Sequence, residues 1–132
     1  MATTSTVTPP AMQVLTKAAL VARTMTSATE LMTLPMGATI VGITLIGTAS
    51  NAGTTATLSL GNSGSGTAYV NARDVKTAAT GTGTMPVTIA VDLSTALTAD
   101  TKVTATYAET GAASSAGAWT VLFHYVPAMK AV

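Results

Sequence analysis

No cysteine occurs among the 132 residues, which excludes a disulfide framework, a thiolate metal site and a thiol nucleophile. Histidine occurs once, at His124. A transition-metal centre draws on several His or Cys ligands, so no metal and no other cofactor is expected. Charge is scarce as well: charged side chains make up 8% of the chain, against about 25% in an ordinary soluble domain. Lys17, Arg23, Arg73, Lys76, Lys102 and Lys130 are scattered among Glu30, Asp74, Asp92, Asp100 and Glu109, giving a net charge of +1. Nucleic-acid binding needs a basic patch, and the sequence contains no such cluster, so no nucleic-acid partner is expected.

Long apolar runs are missing too. Threonine and glycine interrupt every stretch before it reaches the roughly 20 apolar residues that span a bilayer. The first ten residues lack the basic start and apolar run of a signal peptide. These features lead us to expect a protein made and used in soluble form, with no membrane partner.

Catalytic constellations fare no better. A triad around His124 would need a nucleophile and a carboxylate brought to the imidazole, and five acids make this arithmetically feasible. The local pattern argues for a strand histidine, hydrogen-bonded nearby or at a subunit interface. Asp74, Asp92 and Asp100 are too widely spaced for a calcium loop. Gly61 to Gly66 lacks the lysine of a phosphate loop, and no helix follows it. Arg73, Asp74 and Lys76 read as solvated charges. The expectation is a protein that is not an enzyme and has no catalytic residues.

What the chain has in abundance is threonine, with valine, alanine and glycine. Threonine branches at Cβ, which restricts it in a helix and suits the pleated surface of a strand. Aromatic residues are only 4% of the chain although hydrophobic residues are 48%. A core of small and β-branched side chains, as in thin sheet packing, is therefore expected. At this length one domain buries roughly two thirds of the surface of its unfolded chain.

Residues 1–10 form a polar segment ending in Pro9-Pro10, whose nitrogens cannot donate to a ladder. Residues 1–11 are read as an extended arm and 12–132 as the folded domain. Met12 to Arg23 fits either helix or strand. Val14, Thr16, Val21 and Thr24 favour a strand, broken near Lys17. Thr29 to Leu34 is a strand stopped by Pro35 and the Met36-Gly37 turn.

Thr39 to Gly47 has Val41, Ile43 and Leu45 on one face and Ile40 and Ile46 on the other, predicting a central strand covered on both sides. Thr54 to Leu60 alternates cleanly, with Ala56, Leu58 and Leu60 inward. A glycine-serine loop leads to a short strand, Tyr69 to Ala72, and a loose connection from Arg73 to Gly83. Met85 to Leu93 alternates again, with Pro86 marking a start at a sheet edge. Ser94 to Asp100 reads as a turn or a single helical turn.

Val103, Ala105 and Tyr107 alternate with Lys102, Thr104 and Thr106, and Gly111 to Gly117 is a loop. In the last strand, Ala118 to Val126, Trp119, Val121, Phe123 and Tyr125 read as core. Thr120, Leu122, His124 and Val126 take the opposite face. About eight short antiparallel strands and no amphipathic helix predict an all-β, single β-sandwich, jelly-roll-like, with an immunoglobulin-like sandwich as the alternative.

Seven methionines are many for this length. Met25, Met32, Met36 and Met85 lie near strand ends and read as adaptable core filling. With Leu122 and Val126, some of them are also expected to cover apolar surface between subunits of a homo-oligomer.

Three stretches carry a resemblance: Leu34-Pro35-Met36-Gly37-Ala38-Thr39-Ile40-Val41, Thr55-Ala56-Thr57-Leu58-Ser59-Leu60-Gly61 and Ala68-Tyr69-Val70-Asn71-Ala72-Arg73-Asp74-Val75. From about Leu34 to Val126 the chain resembles head decoration and head fibre proteins of tailed bacteriophages, the capsid cement proteins. The resemblance implies a β-sandwich subunit, commonly a homotrimer, that sits on the outer surface of the capsid and stabilises it or supports host attachment. It implies a major capsid protein as partner, synthesis in the host cytoplasm and a place in the virion, and it transfers no catalytic residues.

Candidate interface residues on this reading are Val7, Pro9 and Pro10 of the arm and Leu122, His124 and Val126 of the last strand. The alternative is a carbohydrate-binding receptor module of a tail fibre or spike, with a host-surface glycan as ligand. Such sites expose aromatic platforms, for which Tyr69 and Tyr107 are the candidates once Trp119, Phe123 and Tyr125 are assigned to the core.

Overall fold

A computed structural model of the chain describes residues 13–76, 82–86 and 96–128. The strands are β1 (Leu15–Ala22), β2 (Thr29–Leu34), β3 (Thr39–Thr48), β4 (Thr55–Gly61), β5 (Val70–Asp74), β6 (Thr82–Pro86), β7 (Thr101–Thr110) and β8 (Ala118–Val126). They form two four-stranded antiparallel sheets, sheet A in the order β1-β8-β3-β6 and sheet B in the order β2-β7-β4-β5. Among the described residues there is no helix.

β1, β2, β3 and β4 alternate between the two sheets, so each connection crosses the sandwich. That wiring is jelly-roll-like. An immunoglobulin-like sandwich keeps its first two strands in one sheet, whereas β1 and β2 here lie in opposite sheets. The immunoglobulin-like alternative is therefore set aside.

The core lies between the sheets and follows from period-two alternation. Trp119, Val121, Phe123 and Tyr125 of β8 are buried, facing Val103, Ala105 and Tyr107 of β7 and Ala56, Leu58 and Leu60 of β4. Tyr107 stacks on Trp119 with ring centroids 5.5 Å apart, and Tyr69 meets Phe123 edge-on at 5.8 Å. Such pairs add about 0.5–1.5 kcal/mol to the burial of their area. Met25 and Met32 are partly buried against this core, while Met36 is exposed.

Four expectations need correction. β3 is central in its sheet but is not covered on both sides: its register with β8 shifts between Ile40 and Gly42. The extra residue, Val41, turns outward, so that Ile40, Ile43 and Leu45 share the buried face while Val41 and Ile46 stay exposed. β1 runs unbroken through Lys17, in register with β8 from Leu15 to Ala22. The lysine is accommodated because its Nζ donates to Thr33 O at 2.6 Å.

The segment after Tyr69 is more ordered than expected. Arg73 and Asp74 belong to β5, and Val75 is fully buried, its N–H donating to Ala56 O and its carbonyl accepting from Ser50 N. The expected loose connection thus starts later. Finally, Pro86 is the last residue of β6, not the first of a strand, although β6 does lie at a sheet edge. The rest of the expected strand, through Leu93, falls outside the described residues, as does the arm 1–11.

Candidate interaction surface

The outer face of sheet A is built by residues of even parity on three strands. β8 contributes Thr120, Leu122, His124 and Val126; β1 sets Leu20, Ala18 and Thr16 opposite the first three. On the other side β3 sets Ile46, Thr44 and Gly42 opposite the same three residues. None of these positions carries a formal charge. Sheet B differs: its outer face carries an ion pair between Lys102 and Glu30, with Nζ 3.0 Å from Oε1.

His124 joins three strands. Its Nδ1 lies 3.0 Å from Thr16 Oγ1 on β1 and its Nε2 2.9 Å from Thr44 Oγ1 on β3. A hydroxyl can donate or accept, so each threonine can match whichever ring nitrogen it faces. The residue opposite is Gly42, where a Cβ would stand 3.4 Å from His124 Cδ2, an ordinary contact distance. Both nitrogens are thus engaged by hydroxyls, in contrast to a triad, where a carboxylate orients the ring.

Around this bridge the face is apolar. Leu20 is 75% exposed, the most exposed of the large hydrophobic side chains among the described residues, and Ile46 and Val41 are 39% and 41% exposed. Between Leu20 and Ile46 lies an open groove of about 390 Å³, with Met25, Gly47 and Trp119 contributing to its lining. Gly47 is required there: a Cβ would lie 2.1 Å from Ala118 O and 2.8 Å from Trp119 Cα.

One end of the sandwich carries a polar network on Glu109. Its carboxylate accepts from Ser114 Oγ at 2.5 Å, Tyr107 OH at 2.7 Å and Ser114 N at 3.2 Å. Ser50 Oγ lies 2.7 Å from Tyr107 OH, and Arg23 Nη1 donates to Ser114 O. The hydrogen bonds from Ser114 and Tyr107 hold the Glu109 carboxyl below the usual glutamate range. Asn51 Oδ1 accepts from Ser115 N and Ala116 N at 2.8 and 2.9 Å, tying the β7–β8 loop to the β3–β4 loop. Among the described residues no three His, Asp or Glu side chains converge on a metal position.

The sequence-derived candidates divide accordingly. Leu122, His124 and Val126 lie together, half-buried, on the outer face of β8. Val7, Pro9 and Pro10 fall outside the described residues. Tyr69 and Tyr107 are 3% and 1% exposed, which corrects their reading as glycan platforms. With Trp119, Phe123 and Tyr125 they account for every aromatic residue of the chain, and all five are buried. Sequence reasoning missed Thr16, Leu20 and Thr44 as members of the face. The alternation Thr16, Ala18, Leu20 was the available signal, hidden by the expected break at Lys17.

No family model matches the chain, and no curated protein matches it. A solved structure does: a chain of the cyanophage Pam1 capsid asymmetric unit, at 26% identity and a TM-score of 0.66, over 86% of this chain and 84% of that one. This chain resembles a component of a phage capsid. The match extends along most of both molecules, so it concerns the whole sandwich and not a shared hairpin.

Proposed function

We propose that this protein is a structural, non-enzymatic component of a bacteriophage virion, mounted on the outer surface of the capsid, where it decorates and stabilises the shell. The observation that carries the reading is the likeness to a chain of the cyanophage Pam1 capsid asymmetric unit across most of both chains. The surface chemistry supports it: an uncharged outer sheet face with exposed Leu20 and Ile46 suits broad contact with another protein, in which many small contributions add up. On this reading the partner is the major capsid protein. Leu122, His124 and Val126 contribute to the contact together with the arm residues Val7, Pro9 and Pro10. The protein is made in the host cytoplasm and added to the head there.

Cryo-electron microscopy of purified heads, paired with heads from a phage lacking the gene, tests the proposal. The expected result is density for the sandwich on the capsid exterior of the first sample only, and earlier rupture of the second on heating. Heads that lack the protein, or carry it inside the shell, would overturn it.

A further inference from the structure

The loop between β7 and β8 is held against the β3–β4 loop by two kinds of clasp. One is neutral: Asn51 Oδ1 accepts from Ser115 N and Ala116 N, Asn51 Nδ2 donates to Ser115 Oγ at 2.9 Å, and Gly53 N donates to Ala112 O. The other is charged. Glu109, at the end of β7, accepts both the N–H and the hydroxyl of Ser114.

An ionised carboxylate can only accept, which fixes the direction of the bonds around it. Ser114 Oγ and Tyr107 OH both donate to Glu109 Oε2. The Tyr107 oxygen is then free to accept from Ser50 Oγ, which itself accepts from Ala52 N at 3.2 Å. A chain of donors thus runs from the β3–β4 loop to a single acceptor.

A proton on Glu109 turns that acceptor into a donor, and one of the two hydroxyls facing it must turn away. If Tyr107 turns, it donates back to Ser50, and Ser50, at 4% exposure, loses the acceptor of its own proton. Leaving a buried donor unpaired is costly. Ser114 is only half-buried and lies on a loop, where water can take over its bonds. Ser114 is therefore the end that yields.

We propose that Glu109 is a proton-operated latch on the β7–β8 loop: its protonation releases Ser114, while Asn51 keeps Ser115 and Ala116 in place and both sheets stay folded. This goes beyond the capsid reading and does not rest on it. Among the described residues, the charged or titratable groups facing the carboxylate are Tyr107 of β7 and Arg23 beside the end of β1. The two loops present Ser50, Asn51 and Ser114, none of which titrates. The bonds from Ser114 and Tyr107, with the nearby Arg23 charge, favour the ionised carboxylate, so the latch is shut at neutral pH and opens only in acid.

Amide exchange of the free, full-length protein, followed by NMR, reads the latch residue by residue, and its failure leaves the capsid reading standing. Between about pH 7 and about pH 3 the protection factor of the Ser114 amide should fall by about tenfold or more, while those of Ser115, Ala116 and the β8 amides change by less than about threefold. Ser115 and Ala116 are controls within the same loop, because their acceptor is the uncharged Asn51. Glu109→Gln has no carboxylate proton to gain, and its amide group donates where the carboxylate accepted, so Ser114 protection should be low at both pH values. Unchanged Ser114 protection in acid, a joint fall of Ser114, Ser115 and the β8 amides, or native pH dependence in Glu109→Gln would each overturn the proposal. The native titration decides the matter by itself if Glu109→Gln does not fold.

Discussion

Thr16 faces His124 across the β1–β8 pair, with its Oγ1 3.0 Å from the ring Nδ1. Thr44 holds the other ring nitrogen from β3, so the imidazole ties the three strands at one level of sheet A. His124→Ala should therefore cost about 1–3 kcal/mol, the sum of two modest hydrogen bonds and some lost packing. Urea denaturation of His124→Ala, Thr16→Val and the double variant measures it. A double variant whose loss equals the sum of the singles would show that the Thr16–His124 bond contributes nothing.

Glu109 predicts a pH dependence. Hydrogen bonds from Ser114 and Tyr107 lower its folded-state pKa, so the unfolded chain binds the proton more readily than the folded one. The resulting stabilisation is fully present above the ordinary glutamate range and is lost as pH falls through the lower folded value. Urea midpoints at about pH 7 and about pH 3 should therefore fall less in Glu109→Gln than in the native chain. Equal falls would remove Glu109 as the source.

Gly47 and Gly66 form a controlled pair. At Gly47 a Cβ meets the backbone of Ala118 and Trp119, whereas at Gly66 nothing lies within 4 Å. Backbone cannot swing aside as a side chain can, so Gly47→Ala should cost about 3 kcal/mol. Gly66→Ala should stay within about 0.5 kcal/mol of the native chain. Thermal unfolding of both variants separates close approach from a general effect of removing glycine.

The capsid reading predicts a one-sided surface. Ile46→Lys and Leu122→Lys place charge on the uncharged outer face of sheet A and should weaken rebinding to stripped heads by about tenfold or more, or about 1.4 kcal/mol. Thr106→Lys, on sheet B, should leave rebinding unchanged. Co-sedimentation with heads measures all three. Equal losses on both faces would argue against sheet A as the contact.

Where the sequence was legible, period two was uninterrupted. β8 has apolar residues at 119, 121, 123 and 125 and all four are buried; β4 and β7 follow the same rule. The reading failed where a local event breaks the count. The inserted Val41 shifts the phase of β3 in mid-strand, and no residue type announces a bulge. Lys17 looked like a break because its charge gives no hint of the Thr33 carbonyl that receives it. The site was half legible for the same reason: Leu122, His124 and Val126 follow from alternation in one strand. Their companions Thr16, Leu20 and Thr44 depend on which strands become neighbours.

β8 lies between β1 and β3, although it comes after both in the chain. During synthesis sheet A therefore remains split until Ala118–Val126 has emerged. β1 waits with no strand on either side, and the cores of both sheets stay incomplete. Nearly every contact that closes the sandwich links distant parts of the chain, which makes folding slow compared with a hairpin-built protein of the same size. A nascent chain arrested at Gly117 should accordingly be protease-sensitive throughout, and extension past Val126 should convert it to the resistant form in a single step.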